Sequence, residues 1–292
     1  MGKVENIATF QDTQKLYQNT EELRTQTALS RRNQVCITEA MPLISQARGK
    51  YAKPFEIRVT GRRSFEAAKS YATLGGEFKD DSNVAVLNFA SASHAGGGVE
   101  NGASAQEESL CRISTLYPCL REDSLHEKFY KPHRVAHDPI HNDDCIYTPN
   151  VVVFKSDTSK PQTLECSEWF RVNVITCAAP NLRDTPSNKF NPFDGRDKAY
   201  LSYDEQRTLH EKRARRILNI AALFGNDTVV LGAFGCGVFS NDPRAVAEGM
   251  RNALMEFSHT FQTVEFAVYG GTANYDTFAD VFSSANILKY FR

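Results

Sequence analysis

The sequence predicts an α/β protein with a mixed central sheet covered by helices on both faces. Two observations carry this. From residue 54 onward, short apolar runs with strand patterning alternate with segments of helical periodicity, the order expected of a layered α/β domain. Two of those runs, residues 84–89 and 229–231, lead directly into glycine-rich loops, Gly96-Gly97-Gly98 and Gly232 to Phe239. Loops at the carboxyl ends of strands are where open α/β sheets bind ligands.

The elements follow in order. The first fifty residues are polar with helical patterning, with helices expected over 7–16 and 21–46 and Pro42 kinking or ending the second. Residues 1–50 therefore read as a helical extension packed on a core of residues 51–292. Residues 55–59 alternate at period two as a strand, and a helix over 64–74 is expected to stop at Gly75-Gly76. The strand 84–89 precedes the first glycine loop, and a helix begins near Gln106. Residues 151–154 and 172–176 are further strands. Residues 184–200, rich in Asn, Asp and Pro, read as a long loop. Ser202 with Glu205 three residues on is a capping box that opens a helix over 204–224. Strand 229–231 and the second glycine loop come next, then a helix started by Asp242-Pro243. Val246, Met250, Leu254 and Phe257 recur on one face of it. A strand over 264–268 and a short helix complete the chain, and there are no internal repeats.

Composition excludes several classes. A formal net charge of −1 leaves no bulk electrostatic grip on a polyanion, so an anionic ligand needs a local site, and sequence-specific nucleic-acid binding is not expected. No apolar run approaches the roughly 18 residues of a membrane span. The first residues lack a charged-then-apolar export pattern. Seven scattered cysteines, odd in number and without a CxxC pair, suit reduced thiols in a cytoplasmic or nuclear protein. A monomer is expected.

The chemistry concentrates in the glycine loops. Three glycines let backbone approach a ligand closely, and Gln106-Glu107-Glu108 follows after a seven-residue spacer, placing carboxylates for acid/base work beside whatever the glycines hold. In Gly235-Cys236-Gly237-Val238-Phe239, successive backbone N–H groups suit a diphosphate, and the helix after Asp242 offers its positive end. Neither loop is GxxxxGK[ST] or GxGxxG, which argues against a P-loop triphosphatase and a dinucleotide dehydrogenase. His133, His137 and His141 are spaced by four, but Pro139 breaks any helix that would align them, so no metal site is expected. Cys236 reads as a small side chain in a tight loop rather than a nucleophile. Lys212-Arg213-Ala214-Arg215-Arg216 reads as the exposed face of a helix, with at most a weak attraction for anionic polymer.

These residues resemble the microbial-type poly(ADP-ribose) glycohydrolases, a family built on the macrodomain. The resemblance rests on Gly96-Gly97-Gly98 with Gln106-Glu107-Glu108, on Leu87-Asn88-Phe89-Ala90-Ser91 before the glycines, and on Tyr117-Pro118-Cys119-Leu120. It continues through Tyr147-Thr148-Pro149-Asn150-Val151 and Ile175-Thr176-Cys177-Ala178-Ala179-Pro180-Asn181 to Gly235-Cys236-Gly237-Val238-Phe239. It spans roughly residues 30–270. It implies a three-layer α/β/α macrodomain that hydrolyses the ribose–ribose bonds of poly(ADP-ribose) without a cofactor or metal. Glu108 would be the acid/base and Glu107 would orient the ribose. The ADP-ribose contacts implied are Asn88, Ser91, Gly96, Gly97, Gly98, Gln106, Gly235, Cys236, Gly237, Val238 and Phe239, with Phe239 stacking on a sugar or base. Where some relatives have Asp and Asn, this chain has Asn88 and Ser91, so the ribose contact there would be shorter or water-mediated. Adjacent glutamates are expected to point apart, which favours one carboxyl serving as acid and then base, with bound diphosphate favouring its protonated form by like-charge repulsion. The alternatives are removal of single ADP-ribose units from ADP-ribosylated macromolecules, and an ADP-ribose reader without catalysis.

Overall fold

The computed structural model describes residues 1–42, 49–75, 81–188 and 192–283. Its core is a seven-stranded mixed sheet ordered β1-β4-β5-β3-β6-β7-β2. The strands are β1 (Val35–Ile37), β2 (Glu56–Thr60), β3 (Val84–Phe89), β4 (Cys145–Val153), β5 (Phe170–Cys177), β6 (Thr228–Leu231) and β7 (Thr263–Ala267). From β5 to β2 the strands run parallel, while β4 is antiparallel to both β5 and β1.

Period-two patterning splits the core into two layers. On β3, Val84 and Val86 pack into one apolar cluster while Ala85 and Leu87 pack into the other. A strand whose two faces are both buried reads as a continuous apolar run, which is why β3 is plain in the sequence. One layer holds α8 (Tyr203–Leu223), α9 (Pro243–Leu254) and α10 (Thr272–Val281); Val246, Met250, Leu254 and Phe257 are all buried in it. The opposite layer holds α1 (Lys3–Asn19), α3 (Ser64–Lys69), α4 (Gln106–Cys111) and α5 (Leu116–Leu120). A continuous helical segment follows, made of α6 (Asp123–Leu125), a π turn (His126–Tyr130) and α7 (Lys131–Ala136). The expected capping box is present, with Ser202 Oγ accepting from Glu205 N–H.

Several expectations are corrected. The helix expected over 21–46 ends early: α2 covers Glu21–Asn33, and Val35–Ile37 then joins the sheet as an edge strand on β4. The β-branched Val-Cys-Ile run gains ladder bonds there that a helix would not supply; residues 43–46 lie outside the described residues. The helix over 64–74 stops at Lys69, closed by tight turns from Ser70 and Tyr71 N–H to Ala67 and Ala68 carbonyls. Gly76 lies outside the described residues. The strand read over 151–154 is the second half of the nine-residue β4. Pro149 and Asn150 obscure the first half; the structure absorbs them in a bulge at Thr148/Val151, with Asn150 at φ 54°. Residues 184–200 contain no helix or named strand among those described.

Candidate active site

A cavity of about 960 Å³ opens at the carboxyl ends of β3, β6 and β7. From β3 the chain goes to β4 and β5 on one side of it and then crosses to β6 and β7 on the other, so this is the sheet's switch point.

The first residue of α4 fastens the site to the sheet. Gln106 Nε2 donates to Leu87 O at 2.8 Å and Ser64 Oγ at 3.0 Å, while its Oε1 accepts from Phe89 N–H at 2.8 Å. This satisfies backbone groups freed where β3 ends. The next two residues are then delivered under the glycine loop. Glu107 is buried, with Oε1 accepting from Asn88 Nδ2 at 3.2 Å and Oε2 from Ser91 N–H at 2.8 Å. Glu108 Oε1 accepts from Gly98 N–H at 2.8 Å, and its Oε2 is buried without a hydrogen-bond partner.

Contrary to expectation, the two carboxylates converge. A Cβ on Gly97 would overlap Glu108 Oε1 and stand 3.1 Å from Glu107 Oε2, and φ there is +57°. The glycine turn folds back over the first turn of α4, so both side chains reach one point. Only glycine leaves room. Crowding and burial set the charge: burial first, then the Glu108 carboxylate, push Glu107 up to about 8, against the stabilising donors Ser91 N–H, the Asn88 amide and Gly96 N–H. Glu107 is therefore largely protonated at neutral pH, although it stands in the first turn of a helix.

The second loop is held by Asn241. Its Nδ2 donates to Pro180 O at 2.7 Å, Gly235 O at 3.0 Å and Phe239 O at 3.3 Å, and its Oδ1 accepts from His210 Nε2–H at 2.8 Å. Burial lowers His210 to about 4, so that ring is neutral. Gly235 (φ +77°) could not carry a Cβ, which would lie 2.7 Å from Ala179 Cβ, whereas the space over Gly237 is open. The expected contribution of α9's positive end is corrected. Asp242 Oδ1 already accepts from Arg244 and Ala245 N–H at 2.9 and 3.0 Å, so a side-chain carboxylate occupies that terminus.

Of the residues expected to meet a ligand, Ser91, Gly97, Gly98, Gln106, Glu107, Glu108, Gly235, Gly237, Val238 and Phe239 line the cavity. Asn88, Gly96 and Cys236 do not. Asn88 is wholly buried behind Glu107 and also donates to Thr176 Oγ1 at 3.2 Å. Gly96 lies against the Tyr117 ring. Cys236 turns toward the core, and burial raises its thiol well above the ordinary value, which leaves it inert as a nucleophile. The basic run is also corrected: Arg213 is buried on Asp143 and the carbonyls of Ala178 and His141, and Arg215 pairs with Glu211 and Glu256. Arg216 donates to Thr38 and Met41 carbonyls, so little of the run is free for a polymer. His133, His137 and His141 are each tied through Nδ1 to a different carbonyl, of Phe129, Phe193 and Ala179. Among the described residues no group of three or more His, Cys, Asp or Glu could hold a metal ion.

Sequence reasoning missed much of the far wall. Arg63 lies over the Tyr269 ring at 3.8 Å, Asp157 accepts from Phe65 N–H at 2.9 Å at the start of α3, and Arg183 lies 5.6 Å from the Phe239 ring centre. Lys3 and Asn274 also reach the cavity. None belongs to a local motif; distant segments meet only in the folded chain.

Comparison with known proteins places this geometry. A family model described as the catalytic domain of microbial-type PARG matches residues 4–156. Poly(ADP-ribose) glycohydrolase from Thermomonospora curvata, bound to the inhibitor ADP-HPD, is 31% identical with a TM-score of 0.75, over 95% of this chain and 99% of that one. The Deinococcus radiodurans enzyme in complex with ADP-ribose is 32% identical with a TM-score of 0.72, over 88% and 97%. No curated protein matches the chain. With half the chain matched by the family model and nearly all of it superposed on relatives above 30% identity, this protein belongs to the microbial-type poly(ADP-ribose) glycohydrolase family.

Proposed function

We infer that this protein hydrolyses poly(ADP-ribose), releasing ADP-ribose, with Glu108 as acid and then base. The observation that carries the reading is Glu108 itself. One carboxylate oxygen is fixed by Gly98 N–H while the other, Oε2, is buried without a partner in the wall of a cavity sized for a dinucleotide-like ligand. In the reaction, protonated Glu108 gives its proton to the leaving ribose oxygen as the glycosidic C–O bond breaks. The resulting carboxylate then takes a proton from the water that attacks the oxocarbenium-like carbon. Glu107, held by Asn88 and Ser91, presents a largely neutral carboxyl beside it and orients the ribose hydroxyls. Once Glu108 has given up its proton, a neutral Glu107 avoids a second buried anion at the same point.

The test is release of ADP-ribose from purified polymer, with a chelator present, by wild type and by Glu108→Gln. Wild type is expected to release it and the variant to lose at least about 100-fold in turnover while still binding ADP-ribose. Binding without release by wild type would turn the reading to a reader. Release only from singly modified protein would turn it to a mono-ADP-ribosyl hydrolase.

A further inference from the structure

A diphosphate over the second glycine loop brings about two negative charges into a cavity that already contains Glu107 and Glu108. The helix end next to that loop does not compensate them, because the Asp242 carboxylate occupies it. The neutralising charge must come from elsewhere, and among the described residues the fold brings Arg183 to this side of the cavity. Leu182 N–H donates to Phe239 O at 2.9 Å, tying the following residue to the end of the loop. The Arg183 guanidinium then lies 5.6 Å from the Phe239 ring centre, on the cavity wall it shares with Gly235, Gly237 and Val238.

We propose that Arg183 is a binding and specificity residue that clamps the ligand's diphosphate against the Gly235–Phe239 loop. Its geometry suits the task. Nε donates to Asn181 Oδ1 at 3.0 Å and one Nη to Pro186 O at 2.9 Å, which fix the plane of the group. No carboxylate forms an ion pair with it among the described residues, so its charge is not consumed. Asp194 lies near enough to be felt electrostatically but bonds instead to Asn181 Nδ2 at 2.8 Å. A half-buried guanidinium beside an aromatic face, with spare N–H donors, is an anchor for bidentate phosphate recognition. Arg63, the other arginine on the wall, is stacked on Tyr269 at the end of β7.

This proposal rests on the ADP-ribose reading of the cavity, and the experiment separates the two. Binding of ADP-ribose and of adenosine is measured by calorimetry for wild type, Arg183→Gln and Arg183→Lys at two salt concentrations. Arg183→Gln is expected to weaken ADP-ribose binding by about 10-fold or more, to flatten its salt dependence, and to leave adenosine binding unchanged. Arg183→Lys, keeping charge but losing the fork, falls between. ADP-ribose bound equally well by wild type and Arg183→Gln would overturn the proposal. So would equal losses for adenosine and ADP-ribose, which would make Arg183 a strut of its loop. Wild type that binds no ADP-ribose would instead bring down the functional reading and this proposal with it.

Discussion

Glu107 shows how a single residue's environment overrides its local rule. Its place in the first turn of α4 favours an anion, but that helix has six residues, and burial beside Glu108 outweighs it. The consequence for stability can be signed. Between the unfolded carboxyl's ordinary value and about 8, the folded protein holds a proton that the unfolded chain has released, so stability falls as pH rises through that window. Glu107→Gln removes this penalty. The buried Asn88 Oδ1, which lacks a partner, can accept from the new amide if the Asn88 side chain turns over. Thermal melts are expected to show Glu107→Gln more stable than wild type at pH 9, with the gap closing near pH 4.5; an unchanged gap across pH would refute a raised Glu107. The identity of the two glutamates was legible in the sequence. The raised Glu107 carboxyl was not, because it depends on burial and on the Glu108 carboxylate being brought against it, which outweigh the donors Ser91, Asn88 and Gly96.

Among the elements, the two glycine loops work by opposite means. The first is shaped by what it covers: Gly97 must lack a side chain because two carboxylates fill the space. The second is shaped from behind by Asn241, which joins Pro180, Gly235, Phe239 and His210. Asn241→Ala would leave the Pro180 carbonyl and the His210 N–H unpaired, while Gly235 O and Phe239 O would keep only their backbone donors, the residue 241 N–H and Leu182 N–H. It is expected to cost about 2–3 kcal/mol in urea unfolding and to weaken ADP-ribose binding while leaving Glu108 in place. Loss of stability without loss of binding would show that the loop keeps its shape unaided. The glycines of this loop stand out in the sequence, but Asn241 does not, since an Asn before Asp-Pro reads as an ordinary helix approach. The α9 start was placed correctly from Asp242-Pro243, yet its role reversed. The residue that caps a helix well also neutralises the terminus that a ligand would have used.

Across the whole molecule, the amino-terminal segment packs directly behind the candidate site. Phe10 of α1 meets Tyr117 edge-on at 4.9 Å, and Tyr117 backs Gly96. Asn6 Nδ2 donates to Gly102 O at 3.0 Å, Thr13 donates to Arg112 O, and Lys3 reaches the cavity itself. Phe10→Ala is therefore expected to destabilise by about 3 kcal/mol and also to lower turnover at temperatures where the protein remains folded; unchanged turnover would confine α1 to a stabilising role. By itself the sequence determined the alternating α/β order and marked the two glycine loops and Gln106-Glu107-Glu108, which the fold brings to one cavity. These are encoded by residues close together in the chain, where periodicity and glycine have direct conformational meaning. Only the tertiary structure decided that Val35–Ile37 is an edge strand and that Lys212 to Arg216 is consumed by internal bonds. It also decided that Asn88 stands behind the site, and that Arg63, Asp157, Arg183 and Tyr269 form its far wall. Each of these depends on which distant segments the sheet brings together, and burial and pairing across such distances leave no local pattern to read.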